Sequence, residues 1–347
     1  MTTNTPKTMR AWQFTSTTPT LHQNLTLHTL PIPTPTPTNP ILIRVLSTSL
    51  NPIDYKLPSL PLLGRLLIPR PATPGSDFCG RIITIHPPSS QTTPLKQGDL
   101  IFGRLGAPQH GTLAEYITVP ASACVLAPEG VHPDVLAAVP TAGLAAFQVL
   151  HNANLKAGDK VFINGGAGGT GTMGIQIAKA MGCHVTTSCS GGKRALCERL
   201  GADEVVDYTR EDVVGVLEGK GRVFSLVVDN VGGTGGLYRA SGGFLVKGER
   251  FVQVGMPMGL QSMLAVAGRM LLSVFSMAGS RGKFEMFAVK GAGEDLGKLG
   301  EMVAERKVVP HVERVYEFES VPDAYEKLRG GHCEGKLVVH VGDRERG

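Results

Sequence analysis

The stretch VFINGGAGGTGTMGIQIAKAMG, residues 161–182, places an apolar strand, a glycine-rich turn and a helical pattern in immediate succession. Gly166, Gly168 and Gly171 fit G-x-G-x-x-G, with Gly169 and Thr170 completing the turn. In that pattern one glycine permits the tight turn. A second lets the backbone approach a pyrophosphate, and a third lets helix and strand pack closely. A helix opening at this point turns unpaired N–H groups and a partial positive charge toward the phosphates. The glycine pattern alone is weak evidence. The strand before it and the helix after it make dinucleotide binding the expectation.

Working outward, HVTTSC at 184–189 is a second strand and KRALCERLG a second helix closing on Gly201. EVVDY at 204–208, LVVDNV at 226–231, RFVQVG at 250–255 and FEMFAV at 284–289 continue the alternation. Near-continuous apolar strands alternating with helices predict a parallel sheet covered on both faces. Residues 1–138 differ: short apolar runs at 41–46, 80–86, 99–105 and 113–119 are punctuated by Pro and Gly, giving β character. PIPTPTPTNP at 31–40 is expected to be a stiff extended connector, with a ligand for a proline-binding domain as the lesser alternative. Residues 310–347 return to strands (VYEFE, KLVVHV) around a short helix, VPDAYEKL. The expected architecture is α/β. A β-rich domain formed by 1–138 and 310–347 is interrupted by a nucleotide-binding domain at 139–309, with the active site in the cleft between them.

Composition narrows the function classes. Of 347 residues, 42% are hydrophobic and 18% charged, which excludes a disordered chain. The net charge of +5 is spread without a run of five like charges, so a nucleic-acid-binding arm is not expected. Six cysteines without C-x-x-C spacing predict reduced thiols in a cytoplasmic protein. The most apolar stretch, 259–279, is broken by Arg269 and is too short on either side to span a bilayer. Six of the 11 methionines fall in 256–286, and Met263, Met270 and Met277 recur every seven residues. Core packing, an adaptable apolar acceptor pocket and a membrane-surface contact all remain open for that segment.

Cofactor choice turns on the end of the second strand. An NAD-selective site places a carboxylate there to accept from the ribose 2′-OH. This chain has Thr187-Ser188-Cys189-Ser190-Gly191-Gly192-Lys193-Arg194. Hydroxyls and two cations suit a 2′-phosphate, so NADPH is the expected cofactor, with Ser188, Ser190, Lys193 and Arg194 as its contacts.

These motifs resemble the medium-chain dehydrogenase/reductase superfamily, in its zinc-independent quinone oxidoreductase-like branch. The landmarks are NPIDYK at 51–56, PGSDFCG at 74–80, GDLIFG at 98–103, GTLAEY at 111–116, VPTAGLAAFQVL at 139–150, LGADEVVDY at 200–208, DNVGG at 229–233 and GHCEGKLVV at 331–339. DNVGG and GHCEGK are most similar to reticulon-interacting mitochondrial oxidoreductases and to fungal and plant quinone or enone reductases. The resemblance implies a GroES-like catalytic domain carrying a Rossmann domain, and NADPH-dependent reduction of quinones or of alkenes conjugated to a carbonyl. It further implies that Tyr208 lies near the adenosine 2′-phosphate and that Asn51, Thr141 and Asn230 lie on the nicotinamide side. Gly255 is then a backbone contact to the carboxamide, and Lys336 a lysine reaching back to the cleft. Lys56 is the lysine beside the nicotinamide and substrate carbonyl. A homodimer pairing through 284–289 is also a family expectation.

Zinc-dependent members carry Cys and His where this chain has Asn51–Asp54 and Gly75-Ser76-Asp77, so no metal site is expected. Without a Lewis acid, reduction of an already electrophilic enone or quinone is easier than alcohol oxidation. The developing oxyanion then needs only hydrogen-bond donors. Lys56 is the first candidate donor and Tyr55 the second, with Asp54 orienting Lys56; a solvated Lys56 and a merely packed Tyr55 stay open. The expected partner is a small apolar carbonyl or quinone. A pathway-specific enoyl reductase and a low-turnover NADPH-binding sensor or scaffold are the competing readings.

Overall fold

The computed structural model describes residues 6–60, 62–87, 93–106, 111–233, 235–255, 264–270, 282–291 and 293–342. The chain forms two compact units, Met1–Thr141 with Gly291–Glu305 and Val312–Gly347, and Ala142–Lys290 with Arg306–His311.

The first unit begins with β1 (Thr8–Gln13) and β2 (Thr26–Pro31), an antiparallel pair. It continues with β3 (Ile41–Ser49), β4 (Asp77–Ile85), β5 (Leu100–Arg104), β6 (Tyr116–Val119) and β7 (Cys124–Leu126). In the second unit follow β8 (Lys160–Asn164), β9 (His184–Cys189), β10 (Glu204–Asp207), β11 (Phe224–Asp229), β12 (Leu245–Gln253) and β13 (Lys283–Met286). The chain then returns to the first unit for β14 (Val312–Glu317) and β15 (Lys336–His340).

The first unit's larger sheet has seven strands in the order β14-β15-β3-β4-β5-β7, with β6 also pairing β3. The central strand β3 is fully buried except at Arg44, because both its faces meet protein. Trp12 stands at its margin, and its indole N–H donates to the Phe318 carbonyl at 2.8 Å, satisfying the polar end of a buried ring.

The second unit is one parallel sheet in the order β10-β9-β8-β11-β12-β13. Counted along the unit, that is 3-2-1-4-5-6, the doubly wound dinucleotide-binding order. The order reverses between β8 and β11. The glycine turn after β8 and the DNVGG turn after β11 therefore emerge side by side at the strands' carboxyl ends. An aromatic core supports the sheet, with Phe224 edge-on to both Phe162 at 6.0 Å and Phe244 at 6.3 Å between centroids. The edge strand β13 spans only Lys283–Met286, shorter than the 284–289 apolar pattern, since residues 287–290 carry no ladder.

Of the methionine-rich segment, residues 264–270 and 282–286 are described. Residues 264–270 are helical, with Leu264 and Met270 exposed and Arg269 buried. Met263, Leu271, Val274 and Met277 lie outside the described residues. Among the described residues no helix is long and apolar enough to cross a membrane. All six cysteines are unbridged thiols.

Phe224 has no exposed surface, so Phe224→Ala should lower unfolding free energy by about 3–5 kcal/mol in urea titrations followed by circular dichroism, and Phe224→Leu by roughly 1–1.5 kcal/mol.

Candidate active site

NPIDYK forms a one-turn helix, Pro52–Lys56, because three local features agree. Pro52 sits at the first helical position, where a missing N–H costs nothing. Asn51 caps the turn, and the Asp54 carboxylate reaches back to accept from the Asn51 N–H at 2.8 Å. The other Asp54 oxygen accepts from the Ser76 hydroxyl. Burial pushes the Asp54 carboxyl up to about 7, helped by the nearby Asp77 charge and opposed by its hydrogen bonds and by Lys336. The Tyr325 phenol lies beside it, fully buried, and burial together with the Asp54 charge raises its pKa as well.

Asp77, at the start of β4, gathers this unit's polar groups. It is fully buried. Its Oδ2 accepts from Ser49 Oγ at 3.0 Å and Asn51 Nδ2 at 2.8 Å, with Lys336 Nζ at 3.5 Å. Its Oδ1 accepts from the Thr141 N–H at 3.0 Å and the Thr141 hydroxyl at 2.5 Å. Lys336, also buried, donates to Asn51 Oδ1 at 2.5 Å and to the Leu50 carbonyl at 3.1 Å. Burial pulls its ammonium pKa down, while Asp77 and Asp54 pull it back up. The expected cofactor contacts Asn51, Thr141 and Lys336 are thus engaged side chains of one buried knot. Lys336, with three partners inside the fold, braces Asp77. From sequence, Ser76 and Asp77 were noted only as standing where zinc-dependent members carry a metal ligand, not as an anchor for other side chains.

Tyr55 and Lys56 end the same helix, both partly exposed. Burial raises the Tyr55 phenol and lowers the Lys56 ammonium.

In the second unit, the glycine turn joins β8 to the helix Gly169–Ala180, with Gly168 at its N-cap. No side chain caps this helix, so the amides at Gly169, Thr170 and Gly171 face the turn without a protein side-chain acceptor. A Cβ at Gly171 would run into the Gly165 carbonyl, so this close helix-to-turn approach requires glycine. Gly166 donates its N–H to the Ser188 carbonyl at 2.9 Å. The Ser188 hydroxyl donates to Asn164 Oδ1 at 2.6 Å and accepts from the Gly165 N–H at 3.1 Å. Its one proton braces the glycine turn through Asn164.

Beyond β9, Ser190 precedes a 3-10 turn, Gly191–Lys193, that runs into the helix Arg194–Arg199. Arg194 is partly exposed, with Glu198 and Glu211 no nearer than 3.6 and 3.7 Å. Tyr208 is half exposed. Asp207, a residue that sequence reasoning passed over, holds this loop: it accepts from the Gly191 backbone and from the Thr209 hydroxyl at 2.6 Å. The Thr209 bond leads in keeping its carboxyl below the usual range. Across the switch point, Asp229 Oδ1 accepts from Asn164 Nδ2 at 2.8 Å and from the N–H groups of Val231 and Gly232. Beside them Asn230 keeps both side-chain polar atoms buried with no hydrogen-bond partner. Such atoms are costly unless a ligand completes them. Together with the open amides at Gly169–Gly171, they fit a dinucleotide.

Residues 37–129 match the alcohol dehydrogenase GroES-like domain family, and residues 200–339 match the zinc-binding dehydrogenase family. A trans-enoyl reductase, pgmF, of Aspergillus terreus is 40% identical over 98% of both chains. The chain belongs to the medium-chain dehydrogenase/reductase superfamily, in its quinone and enone reductase branch. A 2-methylene-furan-3-one reductase of Solanum lycopersicum is 31% identical over 86% of this chain and 71% of its own. The structure of a quinone oxidoreductase from Coxiella burnetii aligns with a TM-score of 0.83 at 31% identity, covering 97% of this chain and all of that one. The chain is therefore an oxidoreductase of the superfamily that uses nicotinamide cofactors and acts on small molecules. Among the described residues no three His, Cys, Asp or Glu side chains come together to hold a metal ion.

Asp54 binds its proton more tightly in the folded protein than in an unfolded chain, where its pKa is near 3.8. Its contribution to stability is therefore fully present below about pH 4 and is lost as pH rises toward about 7. Between pH 4.5 and 7.5 the thermal midpoint of Asp54→Asn should gain on the wild type by several degrees, measured by calorimetry at matched ionic strength.

Proposed function

We propose that the protein is an NADPH-dependent reductase of quinones or of the C=C bond of α,β-unsaturated carbonyls, working without zinc. The observation that carries this reading is the Asp77 knot. Where zinc-dependent relatives place metal ligands, this chain holds a buried carboxylate that accepts from Ser49, Asn51 and Thr141 and lies beside the Lys336 ammonium. Its lone pairs are occupied and the surrounding groups are donors, so the residues present do not fit a divalent cation.

Residues Gly166–Gly171 would cradle the pyrophosphate of NADPH, Ser190, Lys193, Arg194 and Tyr208 its 2′-phosphate side, and Asn230 and Gly255 its carboxamide. Bound there, NADPH supplies a hydride equivalent. The chain's own task is to stabilise charge on the acceptor oxygen. The Lys56 ammonium, made more acidic by burial, is the readier proton donor. The Tyr55 phenol, made less acidic, stays protonated and donates only a hydrogen bond. Full-length likeness to a trans-enoyl reductase supports a second reading, an enoyl thioester as the acceptor. Cytoplasmic residence suits the six free thiols, and a homodimer would use the β13 edge.

The test follows NADPH and NADH oxidation with a small enone, a quinone and a short enoyl thioester as separate acceptors, with and without a chelator. Chelator-insensitive turnover preferring NADPH is expected. Loss of activity with chelator, or preference for NADH, would overturn the zinc-free or the NADPH assignment respectively. Arg194→Ala should raise KM for NADPH about tenfold, worth about 1.4 kcal/mol, and leave KM for NADH unchanged.

A further inference from the structure

A buried arginine stands beneath the two turns that the function assigns to the nicotinamide carboxamide. Arg269 lies on the helical segment 264–270 and is 7% exposed, while its helical neighbours Leu264 and Met270 are exposed. Its Nη1 donates to Gln253 Oε1 at 3.0 Å, and its Nε donates to the Ala265 carbonyl at 3.1 Å. The guanidinium lies 5.4 Å from the Phe284 ring centroid and packs against Gly235, where a Cβ would come within 2.9 Å of Nη1. Burial lowers its pKa and the Asp229 carboxylate pulls it back up.

The partner of Arg269 carries the contact onward. Gln253, fully buried at the end of β12, donates through Nε2 to the Gly255 carbonyl at 2.9 Å. That carbonyl lies against Gly232 so closely that a Cβ on Gly232 would overlap it. The Gly255 N–H in turn donates to the Asp229 carbonyl at 3.1 Å. Arg269, Gln253, Gly255 and Gly232 thus form a chain of contacts ending beside Asn230, the residue with unpartnered buried polar atoms.

We propose that Arg269 is a positioning residue for the nicotinamide half of the cofactor, acting through Gln253 to fix the Gly232 and Gly255 backbone. This rests on the reading of these turns as the carboxamide site. The planar guanidinium gives the Gln253 amide a donor of fixed direction, which in turn fixes the Nε2 bond to the Gly255 carbonyl.

The experiment compares the full-length wild type with Arg269→Met, Arg269→Lys and Gln253→Leu. Calorimetry measures affinity for NADPH and for 2′,5′-ADP, which carries only the adenine half. Hydrogen exchange on the ligand-free protein reads the amides of Val231 and Gly232. Arg269→Met and Gln253→Leu should each weaken NADPH about tenfold, leave 2′,5′-ADP within about twofold, and speed exchange at those amides. Arg269→Lys should fall between, because an ammonium keeps a donor toward Gln253 without the planar fork. Equal weakening of both ligands, or unchanged exchange in Arg269→Lys and Gln253→Leu, would overturn the proposal even if Arg269→Met does not fold. A wild type that binds neither ligand would instead defeat the assignment of function, and the exchange comparison would still decide the role of Arg269.

Discussion

A charge placed where water cannot reach it must be met by protein donors, and Asp77 imposes that demand on the whole first unit. Its carboxylate draws together the end of β3, the cap of the helix Pro52–Lys56, Thr141 and the first residue of β15. The helix that carries Tyr55 and Lys56 is too short to hold itself. Its position follows from Asn51, which is pinned by Asp77 on one side and by Lys336 on the other. The candidate donors are thus placed by a buried electrostatic anchor rather than by helix propensity.

The second unit solves a related problem with backbone rather than charge. Asn164 and Asp229 close the carboxyl ends of β8 and β11, and Ser188 props the turn from β9. These polar side chains sit inside the sheet end because each is bonded to a neighbour. The main-chain amides that open the helix Gly169–Ala180 have no side-chain cap, and the Asn230 side chain has no hydrogen-bond partner. Preorganisation of this kind keeps the ordering cost of binding low.

How far the sequence spoke for itself differs between the units. The parallel sheet was readable because each strand is nearly continuous in apolar residues and each turn carries glycine, both local signals. The apolar run in β8 was found for that reason, whereas β9, rich in Thr and Ser, was placed by the alternation around it. The Asp77 knot left no such trace: its donors lie between 26 and 259 residues away, and convergence across that distance is a property of topology. Lys336 and Asn51 were singled out by resemblance, but the direction of their side chains was not in the pattern. Arg269 was noticed only as an interruption of an apolar stretch, and its burial depends on Gln253 and Phe284 arriving from other strands.

The pairing of β15 with β3 has a consequence for how the molecule is made. Residues Val338–His340 lie antiparallel to Ser47–Ser49, and Lys336 neutralises an aspartate that precedes it by 259 positions. A ribosome has released the entire nucleotide-binding sheet before that lysine is translated. Until then the nascent β3 carries an open margin at Ser47–Ser49 and Asp77 lacks its cation, so the carboxylate stays hydrated. The unit that begins first during synthesis is therefore completed last, and its assembly waits on a strand encoded near the far end of the message.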